Sequence, residues 1–132
     1  MTSPDELEAT HTLRTAVARF DELATQHVLA GTDGAADGAP AMTREQVLEL
    51  LALGEVIGRK AVYGRQLAVR TARATGASWT EIGRALDTSK QAAWEAHTRW
   101  IEQQARQHGE PGQLGLDEQD AAHARDQAAG PD

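Results

Sequence analysis

From Thr43 to Thr75 the chain keeps one helical periodicity for 33 residues. Thr43 opens it as an N-cap, with Gln46 three residues on to complete a capping box, and Gly76 ends it. At ~1.5 Å per residue such a helix spans ~50 Å, more than the width of a globule of this chain length. Two resolutions stand open: a break near Gly54–Gly58, or a projecting helix that pairs with another chain. Gly54, Gly58, Ala61, Gly64, Ala68 and Ala72 step by three or four and form one stripe of small residues. Glycine inside a helix costs ~1 kcal/mol relative to alanine, so close helix–helix approach is the expected compensation. The partner in that approach is either the first helix of the same chain or a twofold-related copy.

The rest of the chain is organised around this helix. At the N-terminus Ser3 caps, Pro4 suits the first helical position, and Glu6 completes a second capping box. Leu7, Leu13, Val17, Phe20, Ala24 and Val28 then recur at helical spacing, which predicts one N-terminal helix within residues 1–30, stopped by Gly31. Residues 31–42, rich in glycine and alanine, read as a flexible linker. Asp33 and Asp37 lie in it, but a cation loop needs more oxygen ligands at tighter spacing. Residues 43–106 hold the long helix and a second helical pair. Residues 107–132 begin with Gly109, Pro111, Gly112 and Gly115 and carry six acids; Asp117 to Ala128 can form a short helix, but with only Leu114 and Leu116 as bulky apolar residues the segment reads as a weakly held or disordered acidic tail. The expected fold class is therefore all-α: an N-terminal helix, a long helix, a helix-turn-helix and an acidic C-terminal tail.

Charge follows the same division. The whole chain carries −7. Residues 1–58 hold three arginines against ten acids, residues 59–106 nine bases against four acids, and residues 107–132 one base against six acids. That layout predicts a cationic working segment with acidic flanks and excludes a uniformly basic coat. The absence of cysteine excludes disulfides, thiol catalysis and cysteine-based zinc sites. The polar start predicts no secretory signal, and the longest apolar stretch, Leu50 to Gly54, is far below the ~20 residues of a membrane span, so a cytoplasmic location without membrane contact is expected. No phosphate loop, serine elbow or His/Glu metal pair occurs, and neither catalysis nor a cofactor or metal is expected.

The informative segment is GASWTEIGRALDTSKQAAWEAHTRW, Gly76 to Trp100. Ser78 and Glu81 form a capping box for a short helix from Trp79 to Leu86, whose Trp79, Ile82 and Leu86 share a face. Asp87 breaks the pattern. Thr88, with Gln91 three residues on, is the expected cap of a second helix from Ser89 to about Gln104. On it Ala93, Ala96 (or His97) and Trp100 fall on one side. Trp79 and Trp100 are expected in the core and His97 at a packing position. Trp94 points outward, into solvent or against a partner chain. Two short helices joined by a tight turn, with a small residue inside the first, make a helix-turn-helix pattern.

The string WTEIGRALDTSKQAAW resembles the DNA-binding helix-turn-helix of bacterial regulators, above all the fourth region of sigma factors. Ile82, Gly83 and Leu86, then the turn, then Ser89-Lys90-Gln91-Ala92-Ala93 correspond to that family's usual order. The Ala- and Arg-rich composition is also similar to that of small helix-turn-helix proteins of actinobacteria. The likeness covers residues 76–101. One departure is Asp87, where the family often has glycine; aspartate tolerates the left-handed conformation better than most residues.

The resemblance implies sequence-specific binding of double-stranded DNA by a transcriptional regulator, as a homodimer reading half-sites about one helical turn apart. The second helix would enter the major groove with Ser89, Lys90, Gln91, Trp94 and Glu95 at the bases. Residues 78–106 are neutral, so phosphate contacts fall to Thr80, Arg84 and Arg99 and to Lys60, Arg70 and Arg73 of the preceding helix. Alternatively, the arginines from Arg59 to Arg73 form a solvated face or bind acids of the first helix. Two other functions stay open: a protein-interaction module that binds the transcription machinery, and a nucleoid protein without sequence preference.

Overall fold

The computed structural model describes residues 3–30, 42–109 and 115–129. Among them are six helices and no strand: α1 (Pro4–Thr10), α2 (Leu13–Ala30), α3 (Arg44–Ala74), α4 (Trp79–Ala85), α5 (Lys90–Gln107) and α6 (Glu118–Ala128). None is long and apolar enough to cross a membrane. The chain divides into two compact units, Met1–Tyr63 and Gly64–Asp132. Positions 31–41 of the expected linker, with Gly31, Asp33 and Asp37, lie outside the described residues, and Met42, its last position, packs against the first unit's core.

The first unit begins as its capping residues require. The Ser3 hydroxyl accepts from the Glu6 N–H at 3.2 Å, and Pro4 occupies the first turn. The single N-terminal helix expected over 1–30 is, however, two. His11 is extended, at φ −111° and ψ 144°. Thr12 then starts α2, its hydroxyl accepting from the Thr15 N–H at 3.2 Å while its own N–H donates to the Thr15 hydroxyl at 3.0 Å. These threonines offer the backbone a local alternative to continued helix. The interruption changes the phase of the apolar pattern. Leu7, Ala16 and Leu23 are buried with Ala52, Leu53 and Val56 of α3, whereas Leu13, Val17 and Val28 stay exposed. The Arg19 guanidinium clasps Glu49 of α3 through Nε at 2.8 Å and Nη2 at 3.1 Å, which holds the Glu49 carboxyl below the usual carboxylate range.

Helix α3 starts on the expected box, Gln46 N–H donating to the Thr43 hydroxyl at 3.1 Å and Thr43 N–H to Gln46 Oε1 at 2.9 Å. It runs unbroken past Gly54 and Gly58 to Ala74. Of the stripe's glycines, Gly54 faces α2, where an added Cβ would lie 3.6 Å from Phe20; at Gly58 and Gly64 it would meet nothing within 4 Å.

The second unit is built on the end of α3 and helices α4 to α6. Gly76, at φ +96°, turns the chain out of α3 and into the Ser78 cap of α4. Val69, Trp79, Ile82, Ala93, Trp100 and Ile101 form the core together with Ala121, Ala124 and Ala128 of α6. The tail expected to be weakly held is therefore a packed helix over 118–128. Its buried face is made only of alanines, whose small side chains let α6 lie close on its neighbours. Gly115 makes the approach possible: at φ +60° it crosses the end of α5 so closely that a Cβ would stand 2.6 Å from the His108 nitrogen and 2.7 Å from the Gln104 oxygen. Leu116 N–H donates to that Gln104 oxygen at 3.0 Å, and Asp117 caps α6 by accepting from the Asp120 N–H at 2.7 Å. Arg125 of α6 grips Glu102 of α5 at 2.7 and 3.0 Å.

Ala124 has no exposed surface, so Ala124→Leu should overpack the contact and cost about 1–3 kcal/mol. Urea unfolding followed by tryptophan fluorescence measures this; an unchanged midpoint would mean that α6 does not share the core.

Candidate nucleic-acid interface

The segment from Ser78 to Gln107 is shaped by three local devices. The first is the Ser78 box: the Ser78 hydroxyl accepts from the Glu81 N–H at 3.1 Å, and the Glu81 carboxylate accepts from the Ser78 N–H at 3.0 Å. Those hydrogen bonds hold the Glu81 carboxyl below its ordinary value. The second is Gly83. A Cβ there would stand 2.8 Å from the Thr88 oxygen and 3.1 Å from the Lys90 nitrogen, so only glycine lets the turn pass against α4 without a shift. Thr88 N–H seals the contact by donating to the Gly83 oxygen at 2.9 Å. The third is Asp87, the one non-glycine residue at positive φ (53°) among the described residues.

The cap of α5 is Ser89, whose hydroxyl accepts from the Ala92 N–H at 3.0 Å, and not Thr88 as the box pattern predicted. Thr88 is held in the turn by Gly83, so the adjacent hydroxyl takes the capping position.

Helix α5 turns Ala93, His97, Trp100, Ile101 and Gln104 inward; His97, not Ala96, completes the buried side. His97 is 1% exposed and lies between two indoles, with centroids 5.7 Å from Trp79 and 5.6 Å from Trp100. Its Nδ1 stands 2.9 Å from Oε1 of Gln66 on α3. An acceptor oxygen at that distance assigns the ring proton to Nδ1. Burial, with the charges of Arg70 and Arg73, pushes the imidazole down to about 4, so it is neutral at pH 7. Sequence reasoning missed Gln66: a polar residue on an exposed-looking helix gives no periodic signal for a buried partner 31 positions away.

The base-contact candidates Ser89, Lys90, Gln91, Trp94 and Glu95 are all exposed, and Trp94 is 38% exposed. Gln91 Nε2 donates to Glu95 Oε1 at 3.0 Å, so these two are coupled one helical turn apart. Of the phosphate candidates, Arg84 and Arg99 are exposed, and Thr80 and Arg70 half-buried. Lys60 belongs to the first unit, half-buried there. Arg73 is engaged within the fold: Nε donates to the Gln127 oxygen and Nη1 to the Ala77 oxygen, both at 2.9 Å, and its charge lies 5.1 Å above the Trp79 ring. That geometry assigns it a structural role. Arg59 follows the alternative reading, in which the arginines bind acids of the first helix: it pairs with Asp5 (3.0 Å) and Glu8 (3.2 Å) of α1, and with Glu55 (3.1 Å) of its own helix. Among the described residues no group of His, Asp and Glu could hold a metal ion.

Comparison of the chain with protein-family models, with curated proteins and with solved structures gives no match in any of the three.

Two outcomes follow from this geometry. Gly83→Ala should destabilise the second unit by about 1–3 kcal/mol through the backbone clash, whereas Gly64→Ala, at an open helical position, should stabilise it by about 0.5–1 kcal/mol. Thermal unfolding of the two variants should thus shift in opposite directions.

For pH, the folded His97 binds its proton only near 4 and the unfolded one near 6.5. Between those values the unfolded state binds more protons, so stability is full above about pH 6.5 and declines toward pH 4, with a slope of up to about 1.4 kcal/mol per unit. The carboxyls of Glu49, Glu81 and Glu102, lowered by their hydrogen bonds, act only as pH falls below their ordinary 4.5. A fall in unfolding midpoint between pH 6.5 and 4.5 that His97→Gln abolishes is the expected result; a flat profile in the parent protein would contradict the burial of a neutral ring.

Proposed function

We propose that this chain is a sequence-specific DNA-binding transcriptional regulator, with α4, the turn at 86–89 and α5 as a helix-turn-helix. The observation that carries the reading is the contact at Gly83. It seats the turn against α4 so that α5 starts immediately behind it, with its opening residues clear of the core. Such a helix enters the major groove by its first turns. Gln91 is suited to adenine and Lys90 to guanine acceptors, Glu95 to the cytosine amino group, and Trp94 to a thymine methyl; each good contact discriminates by ~1–3 kcal/mol. Arg84, Arg99, Thr80 and Arg70 are the phosphate partners in this reading. A homodimer reading two half-sites and a nucleoid location complete it.

A second reading draws on Trp94 and on the Gln91–Glu95 bond. An exposed indole beside a satisfied amide–carboxylate pair also suits a protein partner, such as a component of the transcription machinery.

Recovery of sheared genomic DNA on the purified protein, followed by sequencing, separates the two. Peaks that share one sequence and vanish in Lys90→Ala/Gln91→Ala are expected, with palindromic peaks marking the dimer. Flat recovery by both proteins at low and moderate salt would overturn the DNA reading and favour the protein partner.

A further inference from the structure

The first unit has an open groove of about 680 Å³ between the first turn of α1 and one side of α3. Its apolar lining, here its floor, is Pro4, Leu48, Leu51 and Ala52; its acidic lining, here its rim, is Glu6, Glu45 and Glu55. Positions 48, 51, 52 and 55 follow the i, i+3, i+4, i+7 pattern of a single helical face. This face borders the unit's core at Ala52, which is buried there beside Leu53 and Val56, and turns away from it at Leu48 and Leu51. Leu51 is 66% exposed and Leu48 47%. A soluble helix does not ordinarily leave two leucines one turn apart in water beside a concavity, and such patches mark interaction sites.

The rim decides what fits. The groove's lining includes three glutamates and no base. Glu6 and Glu45 sit in the first turns of α1 and α3, where each helix N-terminus offsets only roughly half a charge, so the lining stays net acidic. Arg59 offsets this acidity only in part, since that one cation is shared among Asp5, Glu8 and Glu55. A twofold copy seated face to face would set these acidic rims against each other. An apolar floor under an acidic rim is complementary to a cationic amphipathic helix: apolar anchors at i, i+3 or i+4, and i+7, flanked by lysine or arginine.

We propose that this groove is a docking site for a basic amphipathic helix of a partner protein. Leu48, Leu51 and Ala52 receive its apolar anchors, and Glu6, Glu45 and Glu55 meet its cations. The site lies wholly in the first unit and does not depend on the DNA-binding reading.

The test uses the full chain and two fluorescein-labelled helical peptides with the same leucine pattern, one carrying lysine and the other glutamate at every polar position. Fluorescence anisotropy should show saturable binding of the Leu/Lys peptide, at least about tenfold tighter than the Leu/Glu peptide. Leu51→Asp should weaken Leu/Lys binding at least about tenfold, the scale of one lost apolar anchor. That substitution adds negative charge, so attraction by bulk charge alone would strengthen binding instead. Glu45→Lys/Glu55→Lys should weaken the Leu/Lys peptide and narrow its advantage. Circular dichroism checks that these exposed substitutions leave the fold intact. Equal binding of both peptides, or binding unchanged or tightened in Leu51→Asp, would overturn the proposal. So would sedimentation showing a parent dimer that Leu51→Asp dissociates, because a second copy would then be the occupant.

Discussion

The indole of Trp79 is the point on which the second unit depends. Its Nε1–H donates to the Ala128 oxygen at 3.1 Å, at the far end of α6. Arg73 of α3 lies over its ring and spans to the Gln127 and Ala77 oxygens. His97 of α5 packs beside it and reaches back to Gln66. One buried aromatic thus touches or anchors every helix of the unit. Its polar edge is satisfied by a backbone carbonyl, the condition under which tryptophan is stable inside a core. The cation over its face and the two carbonyls that accept from that cation belong to one network, so Arg73 is tied into the architecture of the unit.

Around that anchor the unit is assembled by close backbone approach. Gly83 brings the turn onto α4, Gly115 brings the chain across the end of α5, and the alanines of α6 bring a third helix against the core. Large apolar side chains are few, and the packing makes up for them with proximity. Steric space at two glycines and three alanines therefore matters as much as hydrophobicity. The result leaves the opening turn of α5 in solvent, with a short polar sequence and one indole on its outer face.

The first unit is tied differently. Its core is small, with Leu23, Leu53 and Val56 at the centre, and its helices are linked by ion pairs at the margin: Arg19 with Glu49, and Arg59 with three acids. Such part-exposed pairs contribute modestly and chiefly fix register. The unit meanwhile leaves a leucine-floored groove open on α3, beside acids that repel a like surface.

Most of what the sequence by itself determined is local. Ser3, Thr43 and Ser78 mark helix starts because a capping hydroxyl and its partner three residues on need no distant contact. Gly76 and Asp87 mark the turns because positive φ is a property of single residues. The inward tryptophans, Trp79 and Trp100, and the outward Trp94 follow from helical period alone. Tertiary structure decided the rest, and for reasons that sequence spacing does not carry. Thr88 and Ser89 are equal candidates as caps until Gly83 draws Thr88 into the turn. An alanine face is not hydrophobic enough to announce a core helix, and α6 becomes one only where Gly115 lets it approach. Arginines look alike along α3, yet Arg59 meets acids more than 50 residues away and Arg73 meets a carbonyl equally distant. Which charges are spent inside the molecule, and which remain for a partner, is fixed by contacts between segments far apart in the chain, because an ion pair or hydrogen bond depends on distance in space.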